Sequence, residues 1–146
     1  MHIIPATDLD SVRHLLRSAG LPTGDVGLNP QARFYLIELE GEAVALAGIE
    51  CHGQEALLRS LVVDPEYRGR GLAAGLVRHI QHVATGQGAS TLYLLTTSAA
   101  DYFRRRGFHE VARDATPASI RQTRQFADLC PAEAVVLCRR LTPRTR

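Results

Sequence analysis

What is scarce in this chain narrows its function first. Net charge is only +2 over 146 residues, too small to argue for nucleic acid or a membrane as the main partner. No apolar run approaches the ~20 residues that a membrane span requires. Met1-His2-Ile3-Ile4-Pro5 lacks the charged and apolar regions of a secretory signal. The chain is therefore expected to be cytoplasmic. Cysteine is limited to Cys51, Cys130 and Cys138, an odd number without C-x-x-C spacing. That argues against a disulfide framework and against a zinc site, so no metal is expected. Each cysteine reads as a buried apolar side chain; Cys130, before Pro131, is the best placed for a functional thiol. Repeats and low-complexity linkers are missing too. One domain is expected over residues 1–146, ending in a solvated basic tail (Arg139, Arg140, Arg144, Arg146).

The apolar periodicities that are present describe a mixed α/β domain. Leu9, Val12, Leu15, Leu16 and Ala19 share a helical face, with Thr7 or Asp8 as N-cap and Gly20 past the end. A loop rich in glycine, proline and asparagine follows, from Leu21 to Gln31. Phe34 to Leu39 and Ala43 to Cys51 read as a hairpin around Glu40-Gly41-Glu42. His52-Gly53-Gln54 turns the chain into a strand from Ala56 to Val63. Further on come a buried-type strand (Thr91 to Thr97), a short helix (Ala99 to Arg106) stopped by Gly107, and a strand (Phe108 to Arg113). A helix begins at Pro117, runs to about Phe126, and precedes a last strand from Ala134 to Leu141. The order β-α-β-β-β-α-β-α-β-α-β gives a largely antiparallel sheet of about six or seven strands, with helices on both faces.

Between the fourth strand and the second helix lies Tyr67-Arg68-Gly69-Arg70-Gly71-Leu72-Ala73. A glycine turn opening a helix exposes free backbone N–H groups at the positive end of the helix dipole, which suits a phosphate. Arg68 and Arg70 add positive charge. A P-loop is excluded, because no Gly-Lys-Ser/Thr follows. The dinucleotide fingerprint is incomplete as well, since only Gly69 and Gly71 are present and the turn follows a hairpin.

The run from Leu61 through Val63-Asp64-Pro65 to Ala73 resembles the acyl-CoA-binding motif of the GCN5-related N-acetyltransferases (GNAT). Arg68, Gly71 and Ala73 take that motif's defining positions. Ala100-x-x-Phe103 followed by Gly107-Phe108 is similar to the family's second motif. The resemblance implies an acetyl-CoA-dependent enzyme that acetylates the primary amine of a small molecule by direct transfer. A homodimer is compatible with it. The backbone of Leu61, Val62 and Val63 would pair with the pantetheine arm and polarise the thioester carbonyl. Gly69 belongs to the turn, and the amides of Arg70, Gly71, Leu72 and Ala73 would hold the pyrophosphate. Placing amine and thioester together supplies much of the rate in such a mechanism.

The proton-handling positions depart from the family pattern. Where many members carry a tyrosine, four residues before the glycine of Gly-Phe, this chain has Phe103. Tyr102, one residue away and so rotated by about 100° on a helix, is the candidate general acid. Thr97 stands where an asparagine is frequent. Glu55 is the candidate base, expected on one face with Leu57, Arg59, Leu61 and Val63 by strand alternation. His52 and a chain of waters are the alternatives, and a solvated surface Glu55 is the plain reading. Arg59 is a charge inside an apolar strand. It calls either for an internal carboxylate or for an acceptor anion, such as a carboxylate or an oxyanion of phosphorus or arsenic.

A narrower resemblance concerns Leu57-Leu58-Arg59-Ser60-Leu61, Leu92-Tyr93-Leu94-Leu95-Thr96-Thr97 and the segment from Pro117 to Pro131. These are similar to a GNAT subgroup found with arsenic-resistance genes. That likeness implies a phosphinic or arsinic glutamate analogue as acceptor. Two other readings stay open: a CoA-binding sensor without catalysis, and an arsenic binder using the three cysteines.

Overall fold

The computed structural model describes residues 2–126 and 134–142. Its first strand, β1 (Ile3–Pro5), leads to helix α1 (Leu9–Ser18). Asp8 caps α1 by accepting the Asp10 N–H at 2.9 Å. Gly20, at φ +71°, sits past its end, where the Leu21 N–H reaches back to the Leu16 carbonyl. Strands β2 (Ala32–Leu39) and β3 (Glu42–His52) form the expected hairpin. Its two-residue turn has positive φ at both Glu40 and Gly41, the geometry that matches strand twist. A second tight turn at Gly53-Gln54 leads to β4 (Glu55–Val63).

Helix α2 (Leu72–Gly86) follows the glycine turn, then β5 (Thr91–Thr96) and α3 (Ala100–Arg104). Strand β6 (His109–Val111), α4 (Ala118–Arg121) and β7 (Val135–Arg140) complete the chain. The helix expected from Pro117 to Phe126 is broken. It stops at Arg121, and the Thr123 hydroxyl takes the place of backbone bonds, donating to the Ile120 carbonyl and accepting the Phe126 N–H. Cys130 and Pro131, the candidate thiol loop, lie outside the described residues.

The seven strands make one sheet in the order β1-β2-β3-β4-β5-β7-β6. Every pairing is antiparallel except β4 with β5. Helix α2 and Phe103 of α3 pack on one face, over Ile37, Ala47, Ile49 and Leu58. Leu76 and Ile80 of α2 are fully buried there, each contributing about 1.5–3 kcal/mol by leaving water. Helix α1 covers Phe34, Leu36, Leu46 and Val62 in a second cluster. Ile120 of α4 covers Leu57, Tyr93 and Val136 in a third.

The expected face of β4 needs correction. The structure inserts a bulge at Ser60, which adopts φ +61°. Gly48 pairs with Arg59, whereas Leu46 pairs with Val62, so β4 carries one extra residue there. Alternation inverts at that point. Leu57 and Arg59 lie with Val62 on the side of α1 and α4, while Leu61 and Val63 turn to the α2 cluster with Leu58.

Candidate acyl-CoA site

The parallel pairing of β4 and β5 lasts only three steps, Glu55 with Thr91, Ala56 with Leu92 and Leu57 with Tyr93. Beyond it the strands part. Leu58 to Leu61 and Leu94 to Thr97 become opposite walls of a cleft of about 300 Å³. Phe103 closes one side, and Leu21 and Pro22, from the loop after α1, stand at another. The bulge at Ser60 therefore falls inside the cleft, where backbone freed from regular pairing can meet a ligand.

A second cavity, of about 310 Å³, opens at the end of β4. Val63, Arg68, Gly69, Gly71, Leu72 and Ala73 line it together with Tyr102 and Arg106. Asp64 starts the turn by accepting the Glu66 N–H, and Gly71 sits at the N-cap of α2 with φ +79° and no side-chain cap. The first N–H groups of α2 consequently have no capping side chain, and they open on the arginine-bearing turn. Backbone donors and a helix dipole so arranged suit an anion. Arg70 lies over the Tyr67 ring, its guanidinium carbon 4.8 Å from the centre.

Other expected residues fall in different places. Thr97 and Phe103 line the cleft, and Thr97 is exposed while Phe103 is buried. Thr96, beside Thr97, uses its Oγ1 to accept the Ala99 N–H and so starts α3. Val62 is buried under α1, so only its backbone can serve a ligand. Tyr102 belongs to the anion cavity rather than the cleft. Glu55 lies where β4 and β5 are still paired, on the order of 10 Å along the strand from Leu58. It is half-buried and accepts a hydrogen bond from the Ser119 hydroxyl at 3.0 Å.

Arg59 lines the cleft yet is 3% exposed. Each of its guanidinium nitrogens donates: Nε to Ser60 Oγ, Nη1 to Asp25 and to Glu50 at 3.0 Å, and Nη2 to Asp25 at 2.8 Å. Its carbon lies 5.3 Å from the centre of the Phe34 ring. The hydrogen bond from Arg59 is the main reason the Asp25 carboxyl is held below its ordinary value. Burial alone would pull the guanidinium down; Asp25 and then Glu50 more than offset this, and it is held above its ordinary value. Glu50 also meets His52 Nε2 at 3.1 Å. The polar track on this face thus runs His52, Glu50, Arg59, Asp25. Cys51 packs against the α2 cluster while Cys138 belongs to the α4 cluster, so the sheet separates these two thiols. Among the described residues no group of three or more His, Cys, Asp and Glu could hold a metal ion.

Residues 30–110 match the family profile described as an acetyltransferase (GNAT) domain. The chain belongs to the GNAT family. Amino-acid acetyltransferases of Pseudomonas aeruginosa are 36% identical over 89 residues, which is 60% of this GNAT chain and 21% of theirs. Those of Pseudomonas syringae are 35% identical over the same share. The chain thus spans about a fifth of the length of the curated relatives it matches. Among solved structures, N-acetylglutamate synthase from Neisseria gonorrhoeae, complexed with coenzyme A and N-acetylglutamate, superposes with a TM-score of 0.79. It is 22% identical, and the match covers 97% of this GNAT domain and 36% of that protein. A GNAT acetyltransferase from Staphylococcus aureus also gives 0.79, at 20% identity, covering 97% of this chain and 99% of that one. The mixed, largely antiparallel sheet with helices is thereby the fold of this family.

Proposed function

We propose that this GNAT domain is an acetyl-CoA-dependent N-acetyltransferase that acts on the primary amine of an amino acid. The observation that carries the reading is the succession of two cavities along one strand. The cleft walled by Leu58 to Leu61 runs towards the anion cavity that begins at Val63. A donor with its pyrophosphate at Arg68 to Ala73 and its pantetheine arm along Leu61 to Val63 would present the thioester near Ser60. The amine attacks the carbonyl carbon, the C–S bond breaks, and the CoA thiolate leaves with a proton.

One side chain is proposed to handle a proton: Glu55 takes up the amine's proton through water, since it stands away from the cleft. Tyr102, the expected acid, lines the anion cavity instead, a pantetheine arm's length from the sulfur, so the thiolate's proton is assigned to water. Arg59 serves the acceptor side. It lines the cleft and holds, through Asp25, the loop whose Leu21 and Pro22 stand at its edge. An amino-acid acceptor is supported by the Pseudomonas relatives, and the Neisseria structure carries N-acetylglutamate. The finer proposal is an anionic, glutamate-like amino acid, phosphinic or arsinic analogues included.

Release of free CoA thiol, assayed against amino acids, phosphinic and arsinic analogues, polyamines and peptides, tests the reading. Turnover on anionic amino acids is expected, reduced in Glu55→Gln and little changed in Tyr102→Phe, which keeps the ring. Failure to bind millimolar acetyl-CoA would overturn it. A second reading, a CoA-binding sensor, is favoured by Phe103 in the cleft and by the distance of Glu55. Binding without turnover on any amine would select it.

A further inference from the structure

Arg106 lines the anion cavity together with Arg68. Its guanidinium carbon lies 4.5 Å from the centre of the Tyr102 ring, one helical turn earlier, and both side chains line the cavity at the start of α2. The backbone beneath is fixed. Gly107, at φ +93°, closes α3 with two bonds of 3.1 Å, from its own N–H to the Arg104 carbonyl and from the Phe108 N–H to the Phe103 carbonyl. Arg139 Nη1 donates to the Arg106 carbonyl at 2.6 Å. Neighbouring Arg104 is committed to Asp101 and Glu110. Among the described residues, no carboxylate forms an ion pair with Arg106 or with Arg68 of the same cavity. The chain has no lysine, so all 17 of its permanently charged basic side chains are arginines. Arg68 and Arg106 therefore each offer a phosphate a guanidinium fork, able to take two oxygens at once.

We propose that Arg106, held over the Tyr102 ring, is a ligand of the donor's pyrophosphate and faces the first N–H groups of α2 across the cavity. The inference rests on the acyl-CoA reading above. It assigns the pyrophosphate rather than the 3′-phosphate of CoA because Arg106 shares one cavity with Gly69, Gly71, Leu72 and Ala73. Tyr102 then acts through its ring, which carries Arg106 beside the pyrophosphate.

The test compares acetyl-CoA, acetyl-dephospho-CoA (no 3′-phosphate) and S-acetylpantetheine (no phosphate). Calorimetry reads the first two, and ligand-observed magnetic resonance reads the weak third. Arg106 is exposed, and an unchanged melting temperature will show that Arg106→Gln folds. Arg106→Gln is expected to weaken both CoA compounds by the same factor, about ten- to a hundredfold, and to leave S-acetylpantetheine unchanged. Arg106→Lys should fall between. A loss confined to acetyl-CoA would mean that Arg106 reads the 3′-phosphate. An equal loss on S-acetylpantetheine would mean that it acts by packing. No loss on any compound would mean no contact; each of these three results overturns the proposal. If the unaltered protein binds none of the three, the acyl-CoA reading itself fails. If it binds acetyl-CoA and Arg106→Gln matches it, only the role of Arg106 fails.

Discussion

Arg59 and Asp25, 34 residues apart in sequence, form a two-pronged ion pair beneath the cleft. Strand and loop are tied there by charges removed from water, with Glu50 as a third member. Removing the cation strands two carboxylates. Arg59→Ala should therefore cost about 3–5 kcal/mol in urea denaturation. Adding Asp25→Asn should restore part of the loss, because one stranded charge disappears. A double variant less stable than the single one would contradict this account.

Gly48 makes room for that pair. A Cβ on it would meet the Phe34 ring at 2.9 Å and Arg59 Cγ at 3.1 Å. The ring belongs to the buried core and cannot retreat, so Gly48→Ala should destabilise by about 1–3 kcal/mol. Equilibrium denaturation measures it, and an unchanged midpoint would refute it.

Gly71 differs, because a Cβ there meets nothing within 4 Å. The cost of Gly71→Ala comes from φ +79° alone, about 1–2 kcal/mol for a left-handed residue. The chain can relieve it only by moving the N-cap of α2. Acetyl-CoA affinity should therefore fall roughly tenfold, with stability reduced much less if the turn relaxes. Calorimetry on the variant checks this, and full affinity would show that the turn does not grip the donor.

Acid should weaken the fold in two separate windows. His79 has a buried Nε2 with no hydrogen-bond partner among the described residues, and its ring meets Tyr35 edge-on at 4.6 Å. Burial, then the charge of His82, lowers its pKa from the ordinary 6.5. The unfolded chain takes up this proton first, so stability declines as pH falls below 6.5 towards the lowered folded value. Asp25 acts lower down. Its contribution is present above 3.8 and is lost as pH falls through its lowered folded value. His79→Leu should flatten only the upper window in a series of denaturation curves from pH 7 to pH 3. A decline below pH 6.5 that is unaltered in His79→Leu would assign it to another group.

Local features were legible in the sequence. The Glu40-Gly41 turn, the Asp8 cap and the run from Tyr67 to Ala73 each announce themselves within a few residues, because turn and cap chemistry is short-range. The oddness of Arg59 was visible too, but not its partner. Asp25 sits in a loop without periodicity, and nothing local pairs positions 34 residues apart. The bulge leaves no mark in composition, since nothing about a serine signals φ +61°. Plain alternation therefore puts Leu61 and Val63 on the face of Arg59, and one extra residue in β4 reverses that. Arg106 was hidden in a basic triplet whose members part company only when α3 is built. The signal available was its spacing of four from Tyr102.

The short seam between β4 and β5 has a mechanical consequence. Three residue pairs, ending at Leu57 and Tyr93, make the apex of a wedge whose arms diverge from there. Arm length amplifies angle, so a rotation of a few degrees at the apex moves the mouth by about an ångström over six residues of strand. Ala56 and Leu92, a fully buried pair at the apex, act in this sense as the fulcrum. The gauge of the slot is thus a matter of the angle at which two strands part, fixed at a seam that ends one residue before the cleft begins.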